Sequence, residues 1–237
     1  MRERVRANID GKEISLFRNG RDGVPTVYAN MYADVGEEVL DQCDLLGCGP
    51  FHLVTVTKLR WEQELSPWAC GPVISREDSF TGEADGYVRL MEDRIVPFVE
   101  NELRSPTYRV IAGYSMGGLF AIYAPYVTRL FSASVSASGS VWFPELLPFV
   151  RAHDFMKKPD AVYLSIGDRE SRGKNPYLSM AESRGRELYS IYGGMGIDSV
   201  FELNPGNHYK DAEYRLARGI TWILKRHGKE ARPPAGA

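Results

Sequence analysis

Apolar and polar positions along this chain follow two periods, and the switches between them mark out its elements. Near the start, residues 13–17 (EISLF) follow the two-residue period of a strand. Asn8-Ile9-Asp10-Gly11 and Arg18-Asn19-Gly20 carry turn residues, so residues 1–22 predict an antiparallel edge. Residues 25–30, 52–59, 108–112, 132–137, 161–166 and 198–203 are short apolar runs rich in β-branched or small residues, and read as strands. Between them the period lengthens. After a loop at 31–36, residues 37–43 make a short helix. Residues 84–103 make a longer one, with Tyr87, Met91, Ile95 and Val99 at four-residue spacing and Pro97 predicting a kink or split. Residues 119–126, 176–192 and 211–227 are the other helices. The last sets Tyr214, Ala217, Ile220 and Leu224 on one face and stops at Gly228.

Two stretches keep neither period. Residues 60–82 hold Trp61, Pro67, Trp68, Gly71 and Pro72, and read as a substrate mouth or as a surface loop anchored by its tryptophans. Residues 138–155 hold Trp142, Phe143, Pro144 and Pro148, and read as a small lid or as a plain strand-to-helix connection. Strands alternating with helices predict an α/β fold, with a mostly parallel sheet, helices on both faces and an antiparallel N-terminal edge.

Composition narrows the function classes. No repeat, low-complexity block or linker divides the 237 residues, so a single domain over 1–237 is expected, with 231–237 as a frayed end. A net charge of −2 gives no basic field for nucleic acid. No apolar run has the length of a signal core or a membrane span, so a cytoplasmic protein without a membrane partner is expected. Cys43, Cys48 and Cys70 are too few and odd in number for a disulfide framework. Cys43 and Cys48 have no second pair at zinc spacing, so thiols are expected and no metal site. Nothing in the sequence fixes the oligomeric state.

The chemistry centres on residues 109–120, RVIAGYSMGGLF. Gly113-Tyr114-Ser115-Met116-Gly117 matches G-x-S-x-G between a predicted strand and a predicted helix, the setting of a nucleophile elbow. The serine must stand above the sheet edge, so the backbone turns sharply and side chains two residues away on either side would collide. The helix that follows aims its N-terminal N–H groups where negative charge develops. A serine nucleophile needs a base and a group to orient that base, following the serine in the order acid, then histidine. His52 precedes the serine, His153 lies ahead of any candidate acid, and His227 ends the last helix. His208, in Asn204-Pro205-Gly206-Asn207-His208-Tyr209 between the final strand and helix, has the right order and the right sheet edge. The acid should follow strand 161–166, where Gly167-Asp168-Arg169-Glu170 offers Asp168 or Glu170, and spacing does not choose between them.

With these residues together, the chain resembles the putative-esterase family of the α/β-hydrolases, which includes siderophore esterases, feruloyl esterases, S-formylglutathione hydrolases and mycolyltransferases. The match rests on Gly113-Tyr114-Ser115-Met116-Gly117-Gly118, on residues 164–170 (LSIGDRE) and on Pro205-Gly206-Asn207-His208, and covers roughly the catalytic half. The resemblance implies an α/β-hydrolase fold, no cofactor, and Glu170 as the acid, with Asp168 as the alternative. It also implies an oxyanion hole from the N–H of Met116 and a second donor at Met31 or Tyr32, where Asn30-Met31 replaces the His-Gly of many relatives. The reading is a serine hydrolase acting on a small-molecule carboxylic ester or thioester through an acyl-enzyme on Ser115. Acyl transfer from the same intermediate, or non-catalytic binding of a ligand or partner, are the alternatives. Trp61, Trp68 and Trp142 are candidates to bind substrate, and Lys58, Arg60, Arg169 and Arg172 are cations that could meet an anionic one.

Overall fold

A computed structural model describes residues 2–76, 79–103 and 108–230. The frayed end expected at 231–237 lies outside the described residues. Eight strands form one sheet: β1 (Glu3–Ile9), β2 (Lys12–Arg18), β3 (Thr26–Asn30), β4 (His52–Thr57), β7 (Arg109–Tyr114), β8 (Ala133–Ala137), β9 (Ala161–Gly167) and β10 (Asp198–Asn204). Their order is β1-β2-β4-β3-β7-β8-β9-β10. From β4 to β10 every pairing is parallel, while β1 on β2 and β2 on β4 are antiparallel. The expected antiparallel N-terminal edge is thus present, turning at Asp10-Gly11. Arg4 and Arg6 on β1 keep that edge charged, which discourages pairing with another chain. β5 (Ala69–Cys70) and β6 (Phe80–Thr81) form a small separate ribbon within 60–82, where the sequence showed no strand period.

Parallel strands are covered on both faces, so their side chains are apolar in both directions. The alternation in β3 and β7 shows this directly. Val27, Ala29, Val110 and Ala112 join one core cluster with Leu40 of α1 (Gly36–Leu45) and Ile220 and Ile223 of α7 (Ala212–Glu230). Tyr28 and Ile111 join the opposite cluster. It includes Tyr87 of α2 (Ala84–Leu90), Val99 of α3 (Val96–Leu103), Phe120 of α4 (Met116–Val127), Leu146 of α5 (Leu146–Ala152) and Leu188 of α6 (Ala181–Gly194). α4 is buried around nearly its whole circumference, which is why its sequence carries no polar face.

The predicted helix over 84–103 is divided just ahead of Pro97, one of the two outcomes expected there, and three helix boundaries differ from the sequence expectation. A π-turn at Met91–Ile95 joins α2 to α3, with Val96 N–H reaching Met91 O, so the proline follows a turn already widened. α4 begins at Met116, directly after the serine, rather than at 119. The helix expected from 176 starts as a 3₁₀ turn and becomes α-helical at Ala181, because Asn175 Oδ1 accepts the Tyr177 and Leu178 N–H groups. α7 continues through Gly228, and Tyr214 is exposed rather than on its buried face.

Phe120→Ala removes a ring with no exposed surface from the middle of α4. It should cost about 3–5 kcal/mol of unfolding free energy, read from the urea midpoint.

Candidate active site

Strand register brings the site together before any side chain is considered. Asn30 pairs with Gly113, so the loop after β3 lies beside the turn after β7. Asn204 pairs with Gly167, so the segments after β9 and β10 also lie side by side. All four emerge at the carboxyl edge of the parallel sheet, where such folds hold their ligands.

Ser115 stands between β7 and α4 with φ 56° and ψ −120°, a left-handed backbone that a non-glycine residue adopts only under strain. Ala137 O accepts its N–H at 3.3 Å, and its own carbonyl accepts from Ser140 N–H at 2.9 Å, which pins the turn on both sides. The flanking glycines are sterically required. A Cβ on Gly113 would stand 2.3 Å from the Gly117 carbonyl carbon, and one on Gly117 would stand 2.7 Å from Asn30 O.

Glu170 begins a 3₁₀ turn (Glu170–Arg172) after β9, and its carboxylate is largely buried. Oε2 meets His208 Nδ1 at 2.7 Å, while Oε1 accepts from Gly167 N–H at 2.6 Å and Arg215 Nη1 at 3.0 Å. Burial pushes the Glu170 pKa up, but the hydrogen bond and charge of His208 and the Gly167 N–H outweigh it. The carboxyl is held below its ordinary value. Asp168 faces elsewhere: its Oδ1 accepts Gly206 N–H at 2.8 Å, lacing the turn after β9 to the loop that carries His208. That loop is tied down again by Tyr114, whose hydroxyl donates to His208 O at 2.6 Å.

A cavity of about 520 Å³ opens over this cluster. Ser115, Glu170 and His208 line it, with Tyr32, Trp61 and Trp142 among its walls. The other histidines lie elsewhere: His52 is buried in β4, His153 bonds Phe149 O, and His227 stacks on Tyr108. Two candidates need correction. Met31 is not available as an oxyanion donor, because its N–H already bonds Val56 O at 3.0 Å and its side chain is buried in the core. Tyr32, next along, is the residue of that pair that reaches the cavity. Trp68 does not line the cavity. Its indole N–H donates to Pro144 O at 2.9 Å and its ring packs among Tyr123, Phe143 and Phe149, so it anchors the 60–82 stretch. Trp61, from the same stretch, meets Tyr32 edge-on with ring centroids 5.6 Å apart at the cavity. Residues 138–155 contain α5 and fold into the core, with Phe143 buried, while Ser140 and Trp142 form cavity wall rather than a detached lid.

Lys58, Arg60, Arg169 and Arg172 are not among the residues that line the cavity. Arg60 is paired with Glu64 and Glu83 instead. Sequence reasoning missed Arg215 and Tyr114 as members of this cluster. A single arginine in a helix gives no signal, since arginine is usually solvated. Among the described residues no group of three or more His, Cys, Asp or Glu could hold a metal ion. No helix there is long and apolar enough to cross a membrane.

An eight-stranded α/β sheet with a strained serine at a strand-to-helix turn, and a carboxylate–imidazole pair two strands away, defines an α/β-hydrolase. Comparison with known proteins agrees. Residues 53–211 match the family described as "Putative esterase", so this chain belongs to that family, and ester hydrolysis is its general chemistry. An uncharacterized protein, YbbA, of Bacillus subtilis strain 168 is 28% identical over 169 residues, 68% of either chain. Among solved structures, an IroE-like serine hydrolase of Shewanella oneidensis superposes with a TM-score of 0.73 at 19% identity. The match covers 95% of this chain and 80% of that one. The siderophore hydrolase EstA of Aspergillus nidulans gives 0.72 at 19% identity, covering 95% and 94%.

The lowered pKa of Glu170 fixes the sign of a stability effect. A group whose folded pKa is depressed stabilises the fold above its unfolded pKa and loses that contribution as pH falls through the folded value. Glu170→Gln should therefore melt below the wild type at pH 7, and the gap in Tm should close as pH falls below about 4.

Proposed function

We propose that this protein is a serine esterase that hydrolyses a small-molecule carboxylic ester or thioester through an acyl-enzyme on Ser115. Ser115 Oγ attacks the carbonyl carbon and passes its proton to His208 Nε2. Glu170 accepts the Nδ1–H of His208, fixes the ring orientation and stabilises the imidazolium. The oxyanion lies against Met116 N–H, at the open first turn of α4, and Tyr32 N–H is the second donor. Collapse of the tetrahedral intermediate breaks the ester C–O bond, or the C–S bond of a thioester, and His208 protonates the leaving group. Water, deprotonated by His208, then attacks the acyl carbon, and the carboxylic acid leaves with Ser115 restored.

The observation that carries this reading is the 2.7 Å contact of Glu170 Oε2 with His208 Nδ1, at a cavity that also holds the strained Ser115. The walls bear on the substrate. Trp61, Trp142, Leu178 and Tyr209 line the cavity, and among its described lining residues none is a lysine or arginine. The solved relative from Aspergillus nidulans is described as a siderophore hydrolase. Here the walls favour an ester whose groups next to the scissile bond are uncharged and aromatic or aliphatic. An odd count of three cysteines, too few for a disulfide framework, favours a cytoplasmic setting.

A small fluorophosphonate should label the protein stoichiometrically at Ser115, as mapped by peptide mass spectrometry, with turnover of p-nitrophenyl butyrate. Ser115→Ala should abolish labelling and lower turnover by roughly 10⁶-fold, and His208→Ala should abolish labelling. Unimpaired turnover in Ser115→Ala would refute the assignment.

A further inference from the structure

Arg215 is 1% exposed and heads the largest fully buried side chains. Its place on α7 adjoins an apolar face made by Leu216, Ala217, Ile220 and Ile223. Burying a guanidinium costs several kcal/mol unless its N–H groups are matched, and an apolar side chain of similar volume is often no less stable there. Fold stability alone therefore does not account for an arginine here.

Its partners do. Nη1 donates to Glu170 Oε1 at 3.0 Å, Ser138 Oγ at 2.9 Å and Tyr114 OH at 3.2 Å. Nη2 donates to the carbonyls of Pro205 at 3.2 Å and Asn207 at 3.0 Å. These five partners belong to the ends of four neighbouring strands: the residue before Ser115, the segment after β8, the turn holding Glu170, and the loop holding His208. Glu170 is the single charged group among them. The fit is close on the far side too. A Cβ on Gly167 would stand 2.4 Å from Gly206 O, 2.9 Å from Glu170 Oε1 and 3.0 Å from Arg215 Nη1, so both the loop that carries His208 and this pair close on residue 167.

We propose that Arg215 is the positioning residue of the active site. It occupies Glu170 Oε1 together with Gly167 N–H, leaving Oε2 alone for His208 Nδ1. It also holds the carbonyl of Asn207, next to His208, so that the imidazole keeps its place relative to Ser115. Arg215 touches neither substrate nor the reacting atoms. A planar fork can serve this many acceptors in fixed directions, whereas an ammonium group is a point charge without that geometry. The inference rests on the reading of Ser115, His208 and Glu170 given above.

The test compares Arg215→Met, which keeps volume without charge, Arg215→Lys, which keeps charge without the fork, and Arg215→Ala with added guanidinium chloride. The substrate is p-nitrophenyl butyrate, and Ser115→Ala is assayed in parallel. A positioning role predicts that Arg215→Met lowers kcat by about 100-fold with KM changed by less than about threefold, and slows fluorophosphonate labelling in step. Arg215→Lys should fall between it and the wild type. Tens of millimolar guanidinium should raise Arg215→Ala activity by about tenfold or more, and should not raise the wild type. Wild-type kcat in Arg215→Met overturns the proposal. If that variant fails to fold, wild-type kcat in Arg215→Lys, or a folded Arg215→Ala that guanidinium does not rescue, overturns it equally. Activity that survives Ser115→Ala overturns the catalytic reading itself. Loss in Ser115→Ala with wild-type turnover in the Arg215 variants overturns the Arg215 inference alone.

Discussion

A buried carboxylate keeps its charge only when donors replace the water it has lost. Glu170 meets that constraint with three donors on two oxygens: a backbone N–H and a guanidinium on Oε1, and an imidazole on Oε2. Much of the carboxyl edge of the sheet follows from supplying them. Gly167 N–H is in place because β9 ends there. Arg215 is in place because α7 packs across β8 and β9. His208 is in place because β10 runs in register with β9 and delivers its loop beside the acid. Moving any one of these elements by a residue would leave a charge without a partner.

The serine answers to a different constraint. β7 lies inside the sheet, flanked by β3 and β8, and α4 is sunk in the core against it. Neither end of the turn can relax, so the strain at Ser115 is held by packing on both sides rather than by local hydrogen bonds alone. The glycines at 113 and 117 let the two backbones approach closely enough for this, and their spacing makes the turn visible in a linear sequence.

Much of the fold was legible because its strands are short apolar runs bounded by turn residues, and its buried edges obey chain-order rules. The turn at Ser115, the placing of His208 and the antiparallel start could all be read in that way. What escaped reading depended on contacts between distant residues. Spacing alone left Asp168 and Glu170 level, because which of them faces His208 depends on how a turn curls after β9, and it was the family resemblance that favoured Glu170. Met31 and Tyr32 are neighbours, yet a sheet hydrogen bond commits the first and spares the second. Trp61 and Trp68 share one irregular stretch, yet one faces the cavity and the other faces Phe143 and Phe149. Arg215 resembles any helical arginine until the four strand ends around it are seen together.

The left-handed backbone of Ser115 has an evolutionary consequence. A non-glycine residue there carries about 1–3 kcal/mol of conformational strain, a noticeable share of a domain's total stability. Glycine at 115 would relieve that strain and remove the hydroxyl together. A lineage released from selection for turnover thus has a simple drift path toward a sturdier, inert protein with the same outline. On the serine-esterase reading proposed above, the chemistry of the hydroxyl is what keeps serine at this position against that gradient.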